Sequence, residues 1–204
     1  FVGWYNGHPD HRRLQVDLTE PSAVVIGIGN VALDIARMLV LDPDVLAKTD
    51  VADEALALFN TSKVEEVCLV ARRGPAQAAF TPKELEQLMT IAGLQLIVDP
   101  LDLELDSETQ AQLQLPEFSE VRQNMELLRQ IAQRTPSLEA GSKAIRFIFN
   151  ASPLQIDATH DGVKEMILVR NEMQRDERGR ISAVATGQTF NLHAGLIVHA
   201  IGYQ

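Results

Sequence analysis

The chain has 204 residues, enough for one large domain or two small ones. Its 28 acidic and 18 basic side chains leave a net charge of −10. That balance argues against non-specific nucleic-acid binding, and no apolar run reaches the roughly 18 residues a membrane span needs. The single cysteine, Cys68, excludes a disulfide framework and a redox Cys-x-x-Cys pair. Set in Val67-Cys68-Leu69-Val70, it reads as a small core residue.

The chain opens on Phe1-Val2-Gly3-Trp4-Tyr5, without an initiator methionine or a signal-like segment, and is expected to be a piece of a longer protein. Residues 1–20 read as a linker and 21–204 as the domain proper. Ala23 to Gly27 reads as a buried strand. A helix follows from about Asn30 to Leu41, with Val31, Ile35 and Leu39 at helical spacing and Asp34 and Arg37 on the other face. Asp42-Pro43 stops it. Thr49 or Asp50 opens a second helix, in which Val51, Ala55, Leu58 and Phe59 share a face. Val64 to Ala71 is nearly continuous in apolar residues, as a parallel strand covered on both faces should be.

Arg72-Arg73-Gly74-Pro75 ends that strand. Thr81-Pro82-Lys83-Glu84 has a capping-box pattern with proline at the first helical position, and the helix should end near Gly93. Leu94 to Val98 is a third strand. A polar, acidic excursion occupies about 99–117. Phe118, Val121, Met125, Leu128 and Ala132 mark another helix, stopped near Pro136. Ile145, Phe147 and Phe149 then alternate with Ala144, Arg146 and Ile148, which reads as an antiparallel strand. Val163 to Met173 and Ile181 to Phe190 look like two more, around the turn-like Asp176-Glu177-Arg178-Gly179. Gly195 to Ile201 is again an apolar strand. The expected architecture is α/β: a Rossmann-like, doubly wound parallel sheet flanked by helices, with an inserted antiparallel β meander at about 144–190.

Gly27-x-Gly29-x-x-Ala32 lies between a strand and a helix, where a dinucleotide fingerprint must lie. Gly27 permits the tight turn, Gly29 lets a phosphate approach the backbone, and Ala32 is small enough for close helix–strand packing. The N–H groups of Asn30 and Val31 can donate to pyrophosphate oxygens. At the end of the second strand an NAD site usually carries Asp or Glu for the ribose hydroxyls. Here Arg72 and Arg73 stand there instead, farther along the chain because of the helical insertion at 43–63. Two guanidiniums suit a 2′-phosphate, so the cofactor expected is NADP(H). Glu84 has three compatible roles open to it: holding the helix start as the third residue of the Thr81 capping box, positioning Arg72 or Arg73, and accepting from ribose hydroxyls.

Taken together, "FVGWYNGHPD" (1–10), "VVIGIGNVALDIARML" (24–39), "DPDVLAKTDVADEAL" (42–56), "ARRGPAQAAFTPKEL" (71–85) and "IGY" (201–203) resemble the NADP-binding domain of the adrenodoxin reductase-like ferredoxin–NADP⁺ reductases. These are two-domain FAD/NADP flavoproteins, and the resemblance covers essentially the whole chain. It implies that Asn30 and Val31 meet the pyrophosphate, that Arg72 and Arg73 grip the 2′-phosphate, and that Glu84 contacts the adenosine side. It also implies an FAD domain in the same polypeptide, a ferredoxin-like iron–sulfur partner, and an isolated chain without hydride-transfer activity, since only one glycine fingerprint is present. Gln87 stands where the family commonly has a carboxylate near the nicotinamide, and a glutamine cannot exchange a proton. Around 117–126, where some members dock acidic ferredoxins through basic residues, Arg122 is the only basic side chain.

His8, His11, His160, His193 and His199 show no metal-ligand spacing beyond the loose His8/His11 pair, and no metal is expected. His199 reads as a core or sheet residue. The alternative reading is a stand-alone NADP(H)-sensing module without its own catalysis. A subunit of a reductase with a similar two-nucleotide layout, such as a glutamate synthase small subunit, is disfavoured because such proteins bring cysteine-rich cluster sites. The expected compartment is the cytoplasm.

Overall fold

The computed structural model describes residues 1–134, 142–158 and 164–202. Pro136, His160, Val163 and Tyr203, which the sequence reading used, lie outside the described residues.

Five strands form a parallel sheet: β1 (Ser22–Ile26), β2 (Glu66–Val70), β3 (Leu94–Val98), β4 (Lys143–Ile148) and β8 (Leu196–His199), in spatial order β3-β4-β2-β1-β8. Three more, β5 (Ala151–Ala158), β6 (Lys164–Arg175) and β7 (Ile181–Ala194), form a separate antiparallel sheet. The Rossmann-like α/β class therefore holds. The meander begins at Ala151, not 144, because β4 runs parallel to both its neighbours, with Phe147 opposite Leu69 and Val98.

The alternation that suggested an antiparallel strand has a physical origin. Ile145, Phe147 and Phe149 point into the larger of two cores, while Ile148 points into the smaller. Arg146 lies on the smaller core's face but is not enclosed by it. It stays half-exposed and pairs with Glu66 at 2.8 Å. One apolar face and one mixed face look like an edge of a hairpin, although both neighbours are parallel.

The helices lie against one face of the sheet. α2 (Asn30–Val40) buries Ala32, Leu33, Ile35, Ala36 and Leu39. α4 (Asp53–Phe59), α5 (Pro82–Met89) and α7 (Ser119–Ala132) add Phe59, Leu85, Leu88, Met125 and Leu128 to the same core. The other face carries Val24, Ile26, Cys68, Val70 and Ile148. It is covered by Met166 and Leu168 of β6 and Ala194 of β7. The meander thus serves as the second cover that a buried parallel sheet requires.

Two helix boundaries differ from the sequence reading. Asp42-Pro43 stops α2 and also starts a short helix, α3 (Pro43–Leu46), because the Asp42 carboxylate accepts the Asp44 N–H at 2.8 Å. α4 begins at Asp53, not 49 or 50, since the Ala52 N–H donates to the Tyr5 carbonyl at 2.8 Å. The polar excursion contains α6 (Ser107–Gln112), capped by Asp106. Residues 1–20 pack onto the domain. In α1 (Val2–Tyr5), Trp4 and Tyr5 are buried, Trp4 meets Phe59 edge-on, and the Tyr5 hydroxyl donates to Asp34 at 2.9 Å. Burial, then that bond, hold the phenol well above its usual range.

Among the described residues no helix is long and apolar enough to cross a membrane, and no group of three or more His, Cys, Asp or Glu is placed to hold a metal. His199 ends β8 and is exposed, so it is a sheet residue but not a core one.

Cys68 sits in the smaller core, and burial, reinforced by Glu66, pushes its thiol up to about 12. The thiolate is the reactive form. Cys68 is therefore expected to resist thiol reagents in the native protein up to about pH 9 and to react fully in denaturant. Native labelling at the rate of a free thiol would show that this face of the sheet is open.

Candidate functional site

The parallel strands put their carboxyl ends on one edge. Ile26 of β1 lies opposite Val70 of β2 and His199 of β8, and Val70 lies opposite Ile148 of β4. The segments beginning at Gly27, Ala71, Phe149 and Ala200 therefore emerge together. β1 is the strand from which the chain goes to β2 on one side and later to β8 on the other. In such sheets the crevice outside the strand ends at this switch point is where ligands bind.

The two glycines of the turn have different reasons to be glycine. Gly27 has φ of 137°, and a Cβ there would lie 2.3 Å from the Ala200 carbonyl oxygen. The fold itself demands it. Gly29 is the N-cap of α2 with φ of −111° and ψ of −179°, an ordinary extended conformation. A Cβ there would meet only Ala79, at 3.9 Å. Serine or aspartate would cap the helix better, so the fold gives no reason for glycine at 29. The first helical hydrogen bond runs from Leu33 N–H to the Gly29 carbonyl at 3.1 Å. The N–H groups of Asn30, Val31 and Ala32 precede it, at the positive end of the helix dipole. Ala32 is fully buried against the sheet, as its small size required. Val31 is 56% exposed instead of buried with Ile35 and Leu39, because the first turn of α2 projects past the strand ends.

The segment 71–81 packs against this turn. Ala79 forms an isolated parallel bridge with Gly29, and its N–H donates to the Ile28 carbonyl at 3.0 Å. The Asn30 side-chain oxygen accepts the Thr81 N–H at 2.8 Å. That bond changes the reading of Glu84. Thr81 does cap α5, its hydroxyl accepting from the Glu84 N–H at 3.4 Å. In a complete capping box the Glu84 carboxylate would take the Thr81 N–H, but Asn30 takes it. Glu84 is left half-buried, with a carboxylate that makes no hydrogen bond or ion pair among the described residues. Gln87 lies one turn along the same helix and is half-buried, its carbonyl accepting from Thr90.

Arg72 and Arg73 follow β2 directly. Both are exposed, and neither guanidinium has an ion-pair or hydrogen-bond partner among the described residues. Five of the other eleven arginines pair with carboxylates: Arg37 with Asp34, Arg146 with Glu66, Arg170 with Asp102, Arg175 with Glu108, Arg180 with Asp176. Arg122, the lone base at 117–126, is engaged by the Leu113 carbonyl.

Sequence reasoning missed three asparagines and the side-chain role of a fourth. Asn124, buried on α7, donates to the Phe80 carbonyl at 2.8 Å, and its own side-chain oxygen is buried without a partner among the described residues. Asn171 on β6 donates to the Arg72 carbonyl at 2.8 Å. Asn150, in the left-handed region with φ of 53°, donates its N–H to the Arg73 carbonyl at 3.3 Å. Asn30 was expected for its backbone alone. No local pattern marks these contacts, since their partners are distant in sequence.

Sheet, turn and helix together define an α/β domain of Rossmann type, the class in which dinucleotides bind at this crevice. Relatives give this class more definition. The chain is similar over its whole length to the NADPH-ferredoxin reductase FprA of Mycobacterium leprae, with 45% identity over 204 residues, 43% of that protein. It is 38% identical to the human mitochondrial NADPH:adrenodoxin oxidoreductase, covering 42% of it. Among solved structures, Mycobacterium tuberculosis FprA in complex with NADPH superposes with a TM-score of 0.91 at 42% identity, over all of this chain and 44% of that one. No protein-family model matches the chain. In sequence and in fold, then, the chain is similar to one segment of the FprA and adrenodoxin reductases and spans less than half their length.

The difference between the two glycines is open to measurement. Gly27→Ala should cost at least about 2 kcal/mol, since it adds both a strained φ and a clash with backbone. Gly29→Ser should leave stability within about 0.5 kcal/mol of the parent or raise it. Urea unfolding of the two variants checks this; equal losses would mean that both glycines serve only the turn.

Proposed function

We propose that this chain is the NADP(H)-binding part of a ferredoxin/adrenodoxin-type NADP⁺ reductase, a flavin-dependent oxidoreductase. The observation that carries the proposal is the meeting of two features at one sheet edge. One is a helix N-terminus whose N-cap is a glycine the fold does not need. The other is the pair of unengaged guanidiniums of Arg72 and Arg73. The NADPH complex of the similar FprA structure supports the choice of nucleotide.

In this reading the pyrophosphate approaches Gly29 and takes hydrogen bonds from Asn30 and Val31. Arg72 and Arg73 hold the 2′-phosphate, and their planar donors suit its oxygens. The unspent Glu84 carboxylate accepts from a ribose hydroxyl on the adenosine side. Gln87, one turn on, lies near the nicotinamide; its amide orients but neither gives nor takes a proton. The chain's own contribution is thus to bind and aim the nicotinamide. When bound in the rest of the polypeptide, FAD supplies the hydride acceptor and the conversion to single electrons for a ferredoxin-like iron–sulfur carrier. The names of the relatives point to that partner class. We place residues 1–20 at the junction with the FAD domain, and the protein in the cytoplasm.

Calorimetric titration tests the nucleotide reading. NADP⁺ should bind at least about tenfold more tightly than NAD⁺, the worth of one or two charge-assisted hydrogen bonds. Arg72→Ala and Arg73→Ala should each shrink that ratio, and added salt should shrink it in the parent. Gly29→Ser should weaken both nucleotides alike. Equal affinity for NADP⁺ and NAD⁺ would remove the 2′-phosphate assignment. A preference for NADP⁺ that survives loss of both arginines would relocate it.

A further inference from the structure

We infer that Asn171, on the antiparallel sheet, is a positioning residue for recognition of the 2′-phosphate, acting through the backbone of Arg72; this rests on the nucleotide reading above. The meander's apolar residues explain its role as a cover, but they leave unexplained the one polar side chain that is buried among its described residues. Asn171 is only 8% exposed. Its amide nitrogen donates to the Arg72 carbonyl and to the Ser152 hydroxyl, both at 2.8 Å. Its backbone N–H donates to the Asn150 carbonyl at 2.8 Å, and the Asn150 N–H donates in turn to the Arg73 carbonyl at 3.3 Å. The Arg72 carbonyl is thus held directly from β6, and the Arg73 carbonyl through Asn150, whose own carbonyl bonds to the same residue of β6.

That point is where the meander departs from regular pairing. Between Val169 and Asn171 the β6–β7 ladder shifts register, and β7 carries extra residues around Gly187, whose φ is 83°. On the other side of β6, Ser152 pairs with Val169 and Ala151 with Arg170, so Asn171 lies just beyond the last β5 partner. Its side chain is free to leave the sheet and cross to the segment after β2. Irregularities of this kind re-aim side chains beside functional sites.

The arrangement matters because arginine side chains are long and carry high rotamer entropy. Their reach is set by where Cα sits and by the direction in which the backbone launches the chain. Arg72 and Arg73 follow a strand and precede Pro75, and no side chain grips either guanidinium among the described residues. The carbonyl contacts are what define the two Cα–Cβ directions. Removing the Asn171 donor leaves the charges in place but widens the range of directions. The expected loss falls on 2′-phosphate binding alone.

The test uses adenosine 2′,5′-bisphosphate and adenosine 5′-monophosphate, so that binding depends on the adenosine half and not on a nicotinamide pocket. Calorimetry on the parent chain should show preference for the bisphosphate. Asn171→Ala should weaken the bisphosphate by about fivefold, the usual worth of one hydrogen bond, and leave the monophosphate within about twofold. In an Arg72→Ala, Arg73→Ala background the same substitution should change neither ligand, since nothing remains to position. If Asn171→Ala does not fold, Asn171→Ser decides; it keeps a small polar group but ends one bond short of the amide nitrogen that donates to the Arg72 carbonyl. An unchanged preference in the folded variant overturns the inference. So does an equal loss for both ligands, or a full effect in the arginine-free background. A parent chain without preference overturns the nucleotide reading itself, and the role of Asn171 with it.

Discussion

The site depends on how eleven residues between β2 and α5, Ala71 to Thr81, are tied down. Beyond one turn of 3₁₀ helix at Pro75–Gln77 the segment has no regular structure, so its backbone groups must find partners outside a ladder. Each end finds them in a different layer. At the start, Ala71 bonds to the Ile148 and Ala151 backbone, and Arg72 and Arg73 give their carbonyls to Asn171 and Asn150. At the end, Phe80 gives its carbonyl to Asn124, Ala79 bonds to Ile28, and Thr81 donates to Asn30. Glycine turn, helix layer and meander therefore meet through one segment. The two arginines occupy one end of it and the residue before Glu84's helix the other.

This is also where reading by sequence reached its limit. The glycine turn, the arginine pair and the Thr81 cap are local patterns, and each could be placed from neighbours within a few residues. The asparagine contacts span 44, 51 and 99 residues for Asn124, Asn30 and Asn171. A side chain that serves a backbone carbonyl on another layer leaves no periodicity and no spacing. β4 failed differently: its alternation was real, but it recorded two unequal covers above and below a parallel strand. Period 2 reports the difference between faces, not the direction of the neighbouring strand. Val31 failed because helical spacing takes no account of where a helix overhangs the sheet beneath it.

Charge works at two scales in this molecule. The chain as a whole carries −10, which repels anions at a distance. Solvent ions screen that repulsion beyond roughly 8–10 Å, so a bound anion responds mainly to the groups that touch it. In the proposed reading the sheet edge supplies those from helix-start N–H groups and from Arg72 and Arg73, while five of the other eleven arginines are paired with carboxylates. An acidic protein can thus hold a polyanionic nucleotide, because the cations that matter are the ones its own carboxylates have not taken.

The same separation of duties explains Glu84. One of the three roles read from sequence for its carboxylate was local, closing the capping box at the start of α5. The Thr81 N–H has one hydrogen to give, and the Asn30 oxygen holds it at 2.8 Å. Asn30 belongs to the first turn of α2, beside Gly29, so the bond that displaces Glu84 is also the bond that joins the two helix starts. A substitution that removed the Asn30 acceptor would leave the Thr81 N–H for the Glu84 carboxylate and let Glu84 fold back onto its own cap. The side chain at position 30 therefore matters beyond its own N–H: it decides whether the acid on the neighbouring helix closes its own cap.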